Sequence, residues 1–216
     1  GNVSYETVHV EKITGNKWED ENDTTSYFYR GKIDYNWVYF AGYYWRVIRI
    51  NGDGTVSYIM IMGDPENSDA QFRTEYSIKA LEDAGIKVNK LYENTGNWDT
   101  AQGQEIAANQ LAALKDQIDV IFCNNDGMAL GAYQSIVAAG RTVGKDIYLL
   151  GVDALPEVVK MVEEGTMTGT VLNDVVGQAT ACCETLVGLL NGTQPKEAVN
   201  YVPYVKVTAE NAADYE

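Results

Sequence analysis

From residue 56 to residue 207 the chain alternates short apolar runs with longer amphipathic ones, and this alternation limits its fold more than any other feature. Val56 to Met62, Val88 to Tyr92, Val120 to Cys123, Ile147 to Gly151, Thr168 to Leu172 and Tyr201 to Val207 read as strands. Between them lie helical patterns. Ser68 to Ala84 carries Phe72, Tyr76, Ala80 and Leu81 at helical spacing and stops at Gly85; Thr100 to Lys115 turns Ile106, Ala107, Leu111 and Leu114 inward. Met128, Ala132, Tyr133, Ile136 and Val137 make a helix face ended by Gly140, Pro156 opens a helix to Glu164, and a long helix from Asp174 to Asn191 ends at Gly192. Strand–helix alternation of this kind predicts an α/β fold, a parallel sheet covered by helices on both faces. Ligands of such sheets bind beyond the carboxyl ends of the strands.

The first 60 residues have another texture and hold 13 of the chain's 23 aromatic residues. Tyr27 to Arg30, Trp37 to Phe40 and Tyr43 to Ile48 read as short strands, with Gly31, Gly42 and Asn51 to Gly54 as turns. A small antiparallel β segment over residues 1–50 is expected, followed by the α/β part over 51–216. About half of Trp37, Tyr39, Tyr43 and Trp45 are expected in the core of the small sheet, because strand alternation buries one face.

Charge and special residues narrow the function. A net charge of −15 with no Lys/Arg cluster argues against a nucleic-acid partner. No apolar run reaches the ~20 residues of a membrane span. The chain opens Gly1-Asn2-Val3 without Met and is read as trimmed, so the lack of a visible leader says nothing about compartment. Cys123, Cys182 and Cys183 have no disulfide or metal spacing, and the last two are expected as small core residues. The single histidine, His9, is remote from every suggestive stretch, which speaks against Ser-His or Cys-His chemistry.

Each strand end carries polar side chains. Asp64 to Asp69 follows the first, with Arg73 one turn on; then come Gly96-Asn97-Trp98-Asp99, Asn124-Asn125-Asp126-Gly127, Asp153 and Asn173-Asp174. Taken singly, each suits a helix N-cap, and Asp99, Asp126 and Asp174 are expected to be that. Taken jointly, with one Arg and one Trp, they suit a sugar. Carboxylates accept from hydroxyls, Asn does both, Arg donates in a fork, and a Trp face covers the C–H face of a pyranose.

Five motifs in order then match a family. They are Gly63 to Thr74 (GDPENSDAQFRT), Trp98 to Gln102 (WDTAQ), Asn124 to Gly131 (NNDGMALG), Gly151 to Pro156 (GVDALP) and Gly169 to Asp174 (GTVLND), followed by Val202-Pro203-Tyr204-Val205. The series resembles the glucose/galactose-type periplasmic binding proteins that feed ABC importers, over about three-quarters of the chain. The resemblance implies a non-enzymatic carbohydrate-binding chain, a monosaccharide ligand, an ABC-transporter permease as partner, and a periplasmic or cell-surface location. It implies that Asp69 and Arg73 bond ring hydroxyls, that Trp98 stacks on the ring, and that Asn125, Asp153 and Asn173 complete a polar girdle. Asn67 stands where the family usually has His.

The resemblance also implies a calcium loop at Asn51 and Asp53, with Asp119 as the distant carboxylate. Arg49 occupies its first ligand position and opposes a cation, so a plain hairpin turn is the favoured reading and no cofactor is expected. Most of the family's first lobe has no counterpart here. Residues 1–50 instead resemble aromatic-rich surface modules of Gram-positive gut bacteria, and residues 173–200 would normally return to that first lobe. The helix from Asp174 is therefore expected to expose Val175, Val176, Ala179, Leu186 and Leu190 unless residues 1–50 or a second copy cover them. With one wall missing, sugar affinity is expected to be weak. The alternative is an extracellular interaction module using the aromatic strands. A regulator's effector domain would need a basic helix-turn-helix at its start, and a glycosidase pair drawn from Asp64, Glu66 and Asp69 has no further support.

Overall fold

The computed structural model describes residues 55–195 and 197–215 in full. Before them it describes the backbone of four short strands, β1 (Tyr27–Phe28), β2 (Trp37–Phe40), β3 (Tyr43–Arg46) and β4 (Arg49–Ile50). β1 pairs antiparallel with β4, and β2 with β3. His9, Asn51 and Asp53 lie outside the described residues, as do the side chains of Trp37, Tyr39, Tyr43, Trp45 and Arg49.

β5 (Thr55–Met62), β6 (Lys87–Thr95), β7 (Val120–Cys123) and β8 (Tyr148–Leu150) form a parallel sheet in the order β6-β5-β7-β8. β9 (Thr170–Leu172) continues it through parallel bridges Leu150–Gly169 and Asp153–Leu172. β10 (Val205–Val207) pairs with β9 antiparallel, the one departure here from the expected parallel sheet. It begins at Val205, after Pro203, which has no N–H to give a ladder.

β7 and the Tyr58–Met62 part of β5 are apolar throughout because both faces are covered. Tyr58, Met60, Val120 and Phe122 face one side, where Ile78 and Leu81 of α1 (Ser68–Asp83) pack. Ile59, Ile61, Ile121 and Cys123 face the other, against α2 (Thr100–Leu114), α3 (Asp126–Ala138) and α4 (Pro156–Glu163). Each large aliphatic side chain so buried contributes about 1.5–3 kcal/mol of transfer free energy. α2 and α3 touch backbone to backbone: a Cβ on Gly131 would stand 2.0 Å from the Thr100 carbonyl oxygen, and one on Gly103 2.6 Å from that of Met128. This approach brings the loops before both helices, Asn97–Asp99 and Asn124–Asn125, side by side.

Three expectations are corrected. Phe72 and Tyr76 are 55% and 57% exposed and Ala80 is exposed too, so they are not the inner face of α1. The helix is rolled so that Ala70, Arg73, Thr74, Ser77 and Ile78 face the sheet, because Arg73 and Thr74 bond Asn124 at the end of β7. Val137 of α3 is likewise exposed. Cys182 and Cys183 are exposed rather than core, since α5 (Val175–Leu190) has no buried residue. The exposure expected of Val175, Val176, Ala179, Leu186 and Leu190 on that helix is what the structure shows.

Candidate functional site

The sheet order places the switch in strand direction of travel between β5 and β7, and the polar cluster gathers beyond their carboxyl ends. Its centre is Arg73, on the second turn of α1. Arg73 Nη1 donates to the Asn124 carbonyl oxygen at 2.9 Å and to Asp153 Oδ1 at 3.1 Å. Nη2 donates to the Tyr204 hydroxyl at 3.3 Å and stands 3.8 Å from Asp69, one turn back on the same helix. The guanidinium carbon is 5.6 Å from the Trp98 ring centre and 5.8 Å from that of Tyr204, within cation–π range of both. Nε is buried without a hydrogen-bond partner among the described residues.

The supporting backbone is strained where it presents these groups. Among the described residues five non-glycine positions have positive φ, and four stand here: Asn97 (50°), Trp98 (64°), Asp153 (120°) and Ala154 (55°). Such conformations cost about 1–3 kcal/mol each and persist only where surroundings enforce them. The Trp98 ring lies over Gly63, where a Cβ would approach it to 2.2 Å, so the glycine makes the seat for the indole. Asn125 holds the loop from the other side, its Nδ2 donating to the Trp98 carbonyl at 3.2 Å.

Electrostatics follow from this packing. Burial lowers the affinity of the Arg73 guanidinium for its proton, but the Tyr204 hydrogen bond and the nearby Asp153, Tyr204 and Asp69 more than offset it, so its pKa is raised. Burial raises the Asp153 carboxyl and outweighs the opposing pull of Arg73 and of the Asn173 hydrogen bond. Burial likewise pushes the Cys123 thiol up, leaving it neutral and inert.

Of the residues expected to bind sugar, Asp69, Arg73, Trp98 and Asp153 come together, with Asn173 beside Asp153. Asn173 Oδ1 also accepts from Gln178 Nε2 at 2.7 Å. Asn67 and Asn125 are N-caps of α1 and α3, their side-chain oxygens accepting from Asp69 N and Met128 N. Asp99 and Asp174 cap α2 and α5 as expected. Asp126 does not cap α3. It lies inside the helix, fully buried, accepting from Leu155 N at 2.9 Å and Thr170 Oγ1 at 2.7 Å.

Sequence reasoning missed Asn124 and Tyr204. Asn124 is 2% exposed, and its Oδ1 accepts from Gly63 N at 3.0 Å, tying the ends of β5 and β7 together. Its signal was position, the first polar residue after a wholly apolar strand. Tyr204 sits in the Val202-Pro203-Tyr204-Val205 motif, but nothing in the sequence says that a residue 131 positions away reaches Arg73. For a metal, Asp119 Oδ2 accepts from Ser57 N at 2.8 Å, and among the described residues no cluster of three or more His, Cys, Asp or Glu could hold an ion.

A parallel α/β lobe with an arginine-centred polar cluster and a seated indole at its strand ends has a candidate small-molecule site where such folds place one. The chain belongs to the family described as the periplasmic binding protein domain, whose model matches residues 47–194. It is 36% identical over 175 residues to the D-galactose/methyl-galactoside binding periplasmic protein MglB of Haemophilus influenzae, covering 77% of this chain and 52% of the relative. Among solved structures, an ABC transporter periplasmic solute binding protein from Actinobacillus succinogenes with bound D-allose aligns with TM-score 0.68 at 25% identity, over 75% of this chain and 56% of that one. A solute binding protein from Bacillus halodurans with bound myo-inositol aligns with TM-score 0.65 at 30% identity, over 75% and 54%. The chain thus spans about half the length of the relatives it matches.

Proposed function

We propose that this chain binds a neutral glucose- or galactose-like monosaccharide and serves a periplasmic or cell-surface ABC importer, with the importer's permease as its partner. The observation that carries the reading is the Arg73 fork, bonded to Asp153 and Asn124 and flanked by Asp69, Trp98 and Tyr204. Alternating donors and acceptors beside an indole face match a ring with hydroxyls at its edge and C–H groups on its faces. A phosphorylated sugar is disfavoured, since Asp69 and Asp153 already compete for the one arginine. Binding requires no chemistry and no cofactor, so the chain acts as a receptor and not as an enzyme. The ligands named for these relatives, galactose, allose and myo-inositol, are all polyols of this kind.

Asn173 and Asp153 supply further hydroxyl partners, Asn67 contributes through its amide NH2 at the rim, and Asn125, whose amide already bonds the Trp98 carbonyl and Met128 N, contributes through its remaining N–H and lone pair. Calcium at Asn51, Asp53 and Asp119 is the lesser proposal, because Asp119 is already bonded to Ser57. Saturation-transfer NMR on a panel of galactose, glucose, allose and myo-inositol tests the assignment. Transfer to the C–H protons of at least one, abolished in Trp98→Ala, is expected; no transfer to any of them contradicts it.

A further inference from the structure

The turn that carries Asp153 is held by a carboxylate that the binding cluster does not itself contain. Asp126 is completely buried between β7, β8 and β9. Its Oδ2 accepts from Leu155 N at 2.9 Å and its Oδ1 from Thr170 Oγ1 at 2.7 Å. Thr170 Oγ1 in turn accepts from Ala154 N at 3.3 Å, and Asp126 N donates to Val152 O at 2.7 Å. Every residue flanking Asp153 is therefore tied to Asp126, directly or through one hydroxyl. The turn approaches so closely that a Cβ on Gly151 would stand 2.2 Å from Asp126 Oδ1.

The bonds run in one direction. Ala154 N–H points to Thr170, Thr170 O–H points to Asp126, and Leu155 N–H points to Asp126, so the chain of donors ends on a group that must accept twice. A carboxylate does this and a neutral acid or amide does so incompletely, since its own proton or NH2 faces other donors. The turn needs such an anchor, because Asp153 and Ala154 both stand at positive φ without being glycine. We propose that Asp126 is a positioning residue: it locks the 152–155 turn and so aims Asp153 at Arg73 and at the ligand. This rests on the sugar-binding reading for its consequence, but not for its geometry.

The anchor is sensitive to pH. Burial raises the Asp126 carboxyl to about 6, against the lowering effect of the Thr170, Leu155 and Ala154 contacts, with Asp153 adding to the rise. The titratable groups that face it are Asp153 from the turn and Cys123 from β7, which stays neutral, while Arg73 of α1 stands behind Asp153. Below about pH 6 the carboxyl gains a proton, and whichever oxygen carries it stops accepting freely, Oδ2 from Leu155 N or Oδ1 from Thr170 Oγ1.

Amide exchange in the ligand-free protein reads the lock directly. In Asp126→Asn, protection of the Leu155 and Ala154 amides is expected to fall at least tenfold while that of Ile121 in β7 is unchanged. Thr170→Val should reproduce the loss at Ala154, and it serves if the first variant does not fold. In the wild type, protection at Leu155 or at Ala154, according to which oxygen is protonated, should fall as pH drops through about 6, even though protonating a buried acid favours the fold as a whole. A carboxylate with a purely structural role would move local and global stability together. Galactose affinity should weaken about tenfold in either variant. Unchanged protection at Ala154 and Leu155, or unchanged affinity, overturns the proposal. If the wild type binds no sugar, the sugar reading fails instead, and exchange alone decides the role of Asp126.

Discussion

At the scale of single residues, the cluster depends on side chains that have one acceptable shape. Arg73 spreads its fork over Asn124 and Asp153 with Nη1 and over Tyr204 with Nη2. Lysine offers one point charge on a different stem. Arg73→Lys should weaken sugar binding by about 2–3 kcal/mol, the scale of a lost charge-assisted hydrogen bond, as read by competition binding. Gly63 is equally particular. Its Cα–H is the floor under the Trp98 ring, and a methyl there would stand 2.2 Å from the indole. Gly63→Ala should therefore displace the ring and abolish saturation transfer, while thermal unfolding shows a loss of only about 1–3 kcal/mol for the overpacked site. Equal binding in that variant would show that Trp98 does not stack on the ligand.

At the scale of elements, the strands were legible in the sequence and the roll of the helices was not. β5 and β7 read directly as apolar runs because burial on two faces leaves little room for polar residues. α1 misleads because its largest apolar residues, Phe72 and Tyr76, point outward and pair with each other at a ring separation of 6.0 Å. Its orientation is set by Arg73 and Thr74 reaching Asn124, a tertiary constraint with no local signature. Of the candidate site, the residues on strand-end loops could be listed from their spacing, yet their roles could not. Asn125 and Asn67, listed as ligand candidates, also cap α3 and α1, whereas Asp126 looks like a cap and lies buried, bonded to Leu155 and Thr170. The helix pair α2–α3 carries the prediction proper to this scale. Gly131→Ala places a methyl 2.0 Å from the Thr100 carbonyl, a backbone atom that cannot swing away. The variant should lose about 1–3 kcal/mol in denaturant unfolding and shift the Trp98 fluorescence, because the helix starts carry the site loops.

At the scale of the whole molecule, α5 and the sheet behave as different environments. Val176 and Leu190 are 71% and 78% exposed, so Val176→Lys and Leu190→Lys should change unfolding free energy by no more than about 0.5 kcal/mol, and a larger loss would mean that the helix face is covered. The acid branch of the stability curve is set from within the core. Asp126 has an ordinary value of 3.8 and titrates near about 6 in the fold, and Asp153 is displaced in the same direction. The folded state thus holds these protons where the unfolded chain has released them. The Asp126 contribution to stability declines as pH rises from about 4 to about 6 and is level above that; Asp126→Asn should flatten the slope in urea titrations across this range. Above it the charge on Asp126 is kept at a cost to stability, which fits a residue whose carboxylate serves the binding site.

The central claim is that the strand-end cluster binds a monosaccharide. Calorimetric titration of galactose into the wild-type chain and into Trp98→Ala, at neutral pH and millimolar sugar, tests it most directly. The account predicts saturable heat in the wild type, lost in the variant although its unfolding midpoint is retained. No heat with the wild type, or identical heat in both proteins, would contradict it.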